Sequence, residues 1–292
     1  MTREIPAVKT RPKYLPCILE IVNRNTGNYQ AMTKELHQFI CAKGGRRKLP
    51  SVENAVNMTL PTLRLLRLAK GNENETRLSV RGEIMLRNSQ NEEGAIVDSK
   101  FRKIFAIHVL GLEKRYYVPV VDIAQRLGKN VQDGLTFLEK DLLENIKTTY
   151  GEEVAISDRL KKWLSYLRFI GFIHKIRNRL YQVRDHQIRA ATAKDVKVPR
   201  SKFRQELIEN YERLCSDIES PYLPIPDLRE SVLRAFDGKL WDEDFDVMLR
   251  KIKKEDHRYV ISFAEPMYPK RGGLRLDGSY YYYIIIRDKE EE

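Results

Sequence analysis

Cysteine is scarce in this chain of 292 residues, and Cys17, Cys41 and Cys215 form an odd, widely spaced set. Such a set builds neither a disulfide framework nor a zinc site of the C-x-x-C type. Histidine is equally thin: His37, His108, His174, His186 and His257 stand with no partner at metal-ligand spacing. No run approaches the roughly 18 uninterrupted apolar residues that a membrane-spanning helix needs, so no membrane partner is expected. Met1 to Lys13 carries charge and two prolines where a secretory signal would have an apolar core, which makes the cytoplasm the expected compartment. The phosphate-cradling G-x-x-x-x-G-K, the metal-binding H-E-x-x-H and the nucleophile elbow G-x-S-x-G are all missing. Most enzyme classes therefore lack a candidate, and no cofactor is expected.

What the chain has in excess is positive charge. Lys and Arg number 53 against 41 Asp and Glu, a net charge of +12. The excess is uneven: the first 200 residues hold +16 and the last 92 hold −4. Clustered cations of this kind are the footprint of a protein that displaces counterions from a phosphate backbone, so duplex DNA is the expected partner.

Polar, glycine- or proline-marked stretches at Asn88 to Gly94 and Asp185 to Arg200 divide the chain into segments 12–87, 101–184 and 201–287, with Met1 to Arg11 and Arg287 to Glu292 expected to be loose. In the first, apolar spacing predicts helices over Tyr14 to Val22 and Tyr29 to Ala42, and a third capped by Thr59 with Pro61 in its first turn. Leu68 to Lys70 and Arg77 to Val80 then flank a polar turn. The second segment repeats the order: helices at Phe101 to Leu110 and Val121 to Leu127, a helical insert over Gln132 to Asn145, and a helix opening at Ser157 or Asp158. A hairpin from Phe172 to Val183 follows. The strings Leu63-Arg64-Leu65-Leu66-Arg67-Leu68 and Leu167-Arg168-Phe169-Ile170-Gly171-Phe172 put the helix-to-hairpin junction at the same point in both. The third segment keeps the outline with acidic helices, Asp242-Glu243-Asp244 opening its last one, and ends in the strand Tyr280 to Ile286. The expected class is α+β, mainly helical, with three consecutive units each carrying a small hairpin.

That order, with Leu78-Ser79-Val80-Arg81-Gly82 at a hairpin exit, resembles the tandem winged-helix family of prokaryotic transcription regulators, replication initiators and the recognition halves of some modular restriction enzymes; the exit string is similar to that of MarR-like regulators. The resemblance implies that the third helix of each unit enters the major groove and that the hairpin, or wing, lies along a neighbouring groove. Carried onto this chain, it marks Thr59, Thr62, Arg64 and Arg67 in the first unit. In the second it marks Arg159, Lys161, Lys162, Ser165 and Tyr166 on the helix, with Lys175, Arg177, Asn178 and Arg179 on the wing. Guanidinium groups pair bidentately with guanine, and ammonium groups hold phosphate. The loop with Arg46, Arg47 and Lys48 is expected to be a further phosphate clamp.

The acidic third unit is expected to dock a protein partner. One catalytic pattern stands out there: Pro226-Asp227 with Asp237-Gly238-Lys239 spells the skeleton of the PD-D/E-x-K nucleases, whose carboxylates bind magnesium beside a lysine. Leu228, Val232 and Phe236 are spaced as a helix, which would hold the two acids apart. The expected function is therefore non-enzymatic duplex-DNA binding by a cytoplasmic, nucleoid-associated recognition subunit of a larger prokaryotic DNA-processing or phage-defence assembly. A replication initiator or transcription regulator, a scaffold of a chromosome-organising ATPase complex and a nuclease are the alternatives.

Overall fold

The computed structural model describes residues 3–44, 51–72, 75–131, 134–192 and 198–289. The chain divides into two compact units, Met1–Asp195 and Val196–Glu292, each mainly helical with small antiparallel sheets. Segments 12–87 and 101–184 thus fall within one unit.

Unit 1 opens with α1 (Leu15–Arg24), α2 (Tyr29–Gly44) and α3 (Val52–Leu65), followed by a hairpin of β1 (Ala69–Lys70) and β2 (Arg77–Leu78). The start of α3 corrects the sequence reading. Ser51, not Thr59, is its N-cap, and its side chain accepts from the Asn54 N–H at 3.2 Å. Pro61 lies inside the helix, where it has no N–H to give to the preceding turn. On either side of it, Thr59 Oγ1 donates to the Ala55 carbonyl at 2.6 Å and Thr62 Oγ1 to the Met58 carbonyl at 2.9 Å.

From β2 the chain enters α4 (Val80–Ser89) through Ser79, whose hydroxyl accepts from the Gly82 N–H at 3.1 Å and donates to the Arg67 carbonyl at 2.7 Å. Gly82 is required here, because a Cβ at this position would lie 2.1 Å from the Leu68 carbonyl oxygen. The string noted at the hairpin exit is thus a strand end, a cap and a close approach in succession. The polar stretch after α4 is a tight link, bridged from Gln90 to Ile96, and α4 packs on α5 (Asp98–Arg115).

Then come α6 (Val120–Leu127), β3 (Lys129–Val131), β4 (Gly134–Leu138), α7 (Glu139–Tyr150), α8 (Ser157–Phe169), β5 (Ile173–Arg177), β6 (Leu180–Val183) and α9 (Asp185–Thr192). Where a helical insert is expected over Gln132 to Asn145, residues 134–138 form β4 and only from Glu139 does the helix α7 run; residues 132 and 133 lie outside the described residues. Leu135 to Leu138 pair antiparallel with Val183 to Leu180, giving a four-stranded sheet in the order β3-β4-β6-β5. Long-range pairing decides this segment, which local spacing alone assigns to a helix. The division between the two units, after Asp195, falls within the dividing stretch expected from Asp185 to Arg200, but the stretch begins as a helix: α9 buries Ile188 and Ala191, and Asp185 accepts from Gln125 Nε2 at 2.6 Å.

The beginning of the chain is also ordered, against expectation. Ile5 and Val8 are fully buried, the Val118 N–H donates to the Glu4 carbonyl at 3.2 Å, the Lys9 N–H donates to Thr62 Oγ1 at 3.0 Å, and Thr10 Oγ1 donates to the Met58 carbonyl at 2.8 Å. Residues 3–10 therefore form a strap across α3, α5 and α8. Beneath it lies an aromatic core: Phe101, Phe105 and Tyr166 stand with ring centroids 5.6 and 6.1 Å apart in sequence, and Trp163 stacks on Tyr166 at 5.6 Å.

His108 and Glu113 are sealed into unit 1. Burial lowers His108 to about 3, and the neutral ring donates from Nε2 to the Leu66 carbonyl at 2.6 Å, satisfying the end of α3. Burial pushes Glu113 up to about 8 against the pull of its two donors, Trp163 Nε1 at 2.6 Å and the Val121 N–H at 2.9 Å. That carboxyl ties α5 to the start of α6 and to α8.

Unit 2 contains α10 (Arg200–Ile218), β7 (Leu223–Pro224), α11 (Ile225–Ala235), α12 (Asp242–Glu255), β8 (Tyr259–Ala264), β9 (Leu274–Leu276), β10 (Ser279–Tyr281) and β11 (Tyr283–Asp288). Its main sheet has the order β7-β11-β8, and β9 and β10 form a separate small hairpin inside the long β8–β11 connection. The expected single strand from Tyr280 is broken at Tyr282. Phe203, Phe236 and Phe245 fill the core. Asp256 is held down at about 2: burial opposes its ionisation, but Arg204 and the N–H groups of Tyr259 and Arg258 outweigh it.

Candidate nucleic-acid interface

The candidate surface of unit 1 starts from the periodicity of α8. Leu160, Trp163, Leu164, Tyr166 and Leu167 face inward, leaving Asp158, Lys161, Lys162, Ser165 and Arg168 as one outward stripe at three- and four-residue spacing. Lys161 makes only an exposed 3.8 Å pair with Asp158, an interaction worth at most about 1 kcal/mol. Lys162 and Arg168 have no ion pair among the described residues, and the Ser165 hydroxyl turns back to the Lys162 carbonyl at 2.6 Å.

The helix packs on β5 and continues into it through Ile170 to Phe172. Only Ile173 of β5 is buried; His174, Lys175, Ile176 and Arg177 are exposed, so the ribbon projects from the body at the edge of its sheet. Its turn is Asn178-Arg179, with Arg179 at φ 58°, and the register slips between Lys175 and Arg177. Lys175, Arg177 and Arg179 have no ion pair among the described residues. The stripe and the ribbon together present six cations and one acid, Asp158. Arg168 escaped the sequence reading, although it lies seven residues after Lys161 and so on the same face.

Two of the marked residues of α8 are elsewhere. Tyr166 is fully buried, with its hydroxyl donating to the Thr10 carbonyl at 2.8 Å, and cannot meet a ligand. Arg159 turns to the strap and pairs with Glu4 at 2.8 Å.

The first segment's candidates are likewise corrected. Thr59 and Thr62 are fully buried and bonded to their own helix. Arg64 reaches into its hairpin, donating from Nη2 to the Asn72 carbonyl at 3.0 Å and to Thr76 Oγ1 at 2.8 Å. Arg67 lies in the left-handed region at φ 55° and stacks on the Tyr116 ring at 4.5 Å. The open face of α3 presents Glu53, Asn54, Asn57 and Met58, with no lysine or arginine. Arg46, Arg47 and Lys48 lie outside the described residues.

Of the acids opening α12, Asp242 and Glu243 are exposed, while Asp244 and the following Asp246 are engaged within unit 2. Asp244 accepts from the Trp241 N–H at the start of α12, and Asp246 pairs with the buried Arg229 at 2.6 Å. The nuclease skeleton does not assemble. Asp227 lies in the first turn of α11, while Asp237 follows its C-terminal end at φ 48° with Lys239 beyond. A helix of that length separates the two acids by about 15 Å. Among the described residues no group of three or more His, Cys, Asp or Glu is placed to hold a metal ion, and no helix is long and apolar enough to cross a membrane. No protein-family model, curated protein or solved structure matches the chain.

Proposed function

We propose that the chain is a duplex-DNA-binding protein that meets its ligand with α8 and the β5–β6 hairpin of unit 1. The observation carrying this reading is the contrast in charge: six exposed cations on two consecutive elements, answered by one exposed acid. Cations free of internal partners are what a phosphate backbone can recruit, because each neutralised phosphate releases bound counterions. Lys161, Lys162 and Arg168 would approach a groove along one helix face, while Lys175, Arg177 and Arg179 would follow the neighbouring phosphates.

The strand order supports a winged-helix reading of two segments. In unit 1, β4, α7, α8, β5 and β6 run in sequence with β6 between β4 and β5; in unit 2, β7, α11, α12, β8 and β11 do the same with β11 in the middle. The first hairpin, β1–β2, has no third strand among the described residues and is the least regular of the three. A recognition subunit of a prokaryotic DNA-processing or phage-defence assembly remains the role proposed for such a chain, by analogy of fold.

The test is equilibrium binding to a mixed-sequence duplex. The Lys161→Glu/Lys162→Glu variant should bind at least tenfold more weakly than wild type, at about 1 kcal/mol or more per lost contact. Affinity equal to wild type would remove α8 from the interface.

A further inference from the structure

The β8–β11 connection of unit 2 carries the most exposed large apolar side chains among the described residues: Met267 is 90% and Tyr268 74% solvent-accessible. An adjacent apolar pair at a loop tip costs solubility, and the surroundings indicate what it meets. The tip is Glu265-Pro266-Met267-Tyr268-Pro269, so a proline on each side fixes the local φ near −65°.

Both feet of this tip are anchored. On one side the Tyr282 N–H donates to the Ala264 carbonyl at 3.0 Å. On the other, the Lys270 ammonium donates to the Tyr283 hydroxyl at 2.7 Å and lies over the Tyr282 ring at 4.7 Å. The Tyr280 hydroxyl donates to the Lys270 carbonyl and accepts from the Gly273 N–H, each at 2.8 Å. Gly273 has no room for a side chain, since a Cβ there would lie 2.8 Å from the Tyr280 ring. Arg229 Nη1 ties the Gly272 carbonyl to α11 at 2.6 Å. The tyrosine cluster thus serves as the footing of the loop, leaving the pair outside on a fixed base.

Cations flank that base. Arg271 and Arg275 are exposed in the loop, and Arg250 of α12, a helix that also exposes Lys251 and Lys254, donates to the Arg275 carbonyl at 2.8 Å. Glu265 and Asp277 are the acids of the connection. An apolar projection with basic shoulders is the chemistry by which proteins enter the minor groove, part a base step and hold the flanking phosphates.

We propose that Met267 and Tyr268 form a wedge that inserts at a base step of duplex DNA while Arg271, Lys251 and Lys254 hold the adjoining phosphates. This second contact, made by unit 2, rests on the DNA-binding reading above but uses none of its residues. A wedge favours DNA whose stacking is already interrupted. Full-length wild type should therefore bind a duplex with one central nick or mismatch at least tenfold more tightly than the intact duplex, since the step is already parted. Met267→Ala/Tyr268→Ala should lose that preference while keeping the wild-type melting temperature, and Met267→Leu/Tyr268→Phe should retain it. Equal binding of wild type to both duplexes, or a preference that survives the alanine pair, overturns the wedge and leaves the α8 surface standing. An alanine pair that keeps the DNA preference but abolishes self-association overturns it in favour of a protein contact. Failure of wild type to bind any duplex overturns both readings together.

Discussion

Two helix-to-hairpin junctions in unit 1 share a backbone and differ in what they do with their cations. At the first, the N–H groups of Leu66, Arg67 and Leu68 donate to the carbonyls of Thr62, Arg64 and Leu63; at the second, those of Ile170, Gly171 and Phe172 donate to Tyr166, Arg168 and Leu167. The left-handed residue is Arg67 in one and Gly171, at φ 83°, in the other. Yet Arg64 turns inward to brace its own loop, whereas Arg168 at the equivalent place faces solvent. A cation in the sequence is thus not yet a cation on a surface, because a neighbouring carbonyl or ring can claim it first.

The contrast can be broken most strongly at Arg64. Its replacement by alanine leaves the Asn72 carbonyl and Thr76 hydroxyl without their charged donor, and should lower folding stability by about 2 kcal/mol with duplex affinity unchanged. Urea denaturation and a binding titration on the same preparation check both halves. Unchanged stability with weakened DNA binding would mean that the two junctions do the same work.

A smaller effect sharpens the comparison through pH, since each junction has its own sealed titratable group. His108, at the end of α3, has its folded value lowered from 6.5 to about 3, so its contribution is complete above 6.5 and is lost as the pH falls toward 3. Glu113, bonded to Trp163 of α8, has its folded value raised from 4.5 to about 8. Its contribution is complete below 4.5 and is lost as the pH rises through 8. The opposing slopes cancel between 4.5 and 6.5, leaving a decline from 6.5 to 8 that belongs to Glu113, at most about 1.4 kcal/mol per pH unit. Glu113→Gln should flatten that decline and leave the acid limb in place, as read from denaturation midpoints across the range. A decline unaltered in the variant would show that the carboxyl is ionised in the folded chain.

Much of the helical framework was legible in sequence because amphipathic spacing, Gly128 at the end of α6 and the acids opening α12 are local signals. The six-residue correspondence at the junctions was also legible, and the matching hydrogen bonds give it physical content. Three features depended on distant partners and were hidden. β4 is a strand because β6 lies beside it, residues 3–10 are ordered because α3 and α8 accept them, and Pro61 sits within α3 because Ser51 starts the helix earlier. Lys161, Lys162 and Ser165 of the α8 stripe were legible from charge and spacing, whereas Arg168 was missed and Arg159 turned out to face the strap. Tyr166 was misplaced on it because an aromatic ring between Lys162 and Arg168 carries no sign of which side it faces until the core is built.

The most direct measurement of the central claim is the salt dependence of duplex binding between about 50 and 200 mM. Replacing Lys175, Arg177 and Arg179 together by alanine should reduce the slope of log affinity against log salt by about 0.9 for each phosphate contact removed. The same slope in variant and wild type, at equal fold stability, would contradict the account.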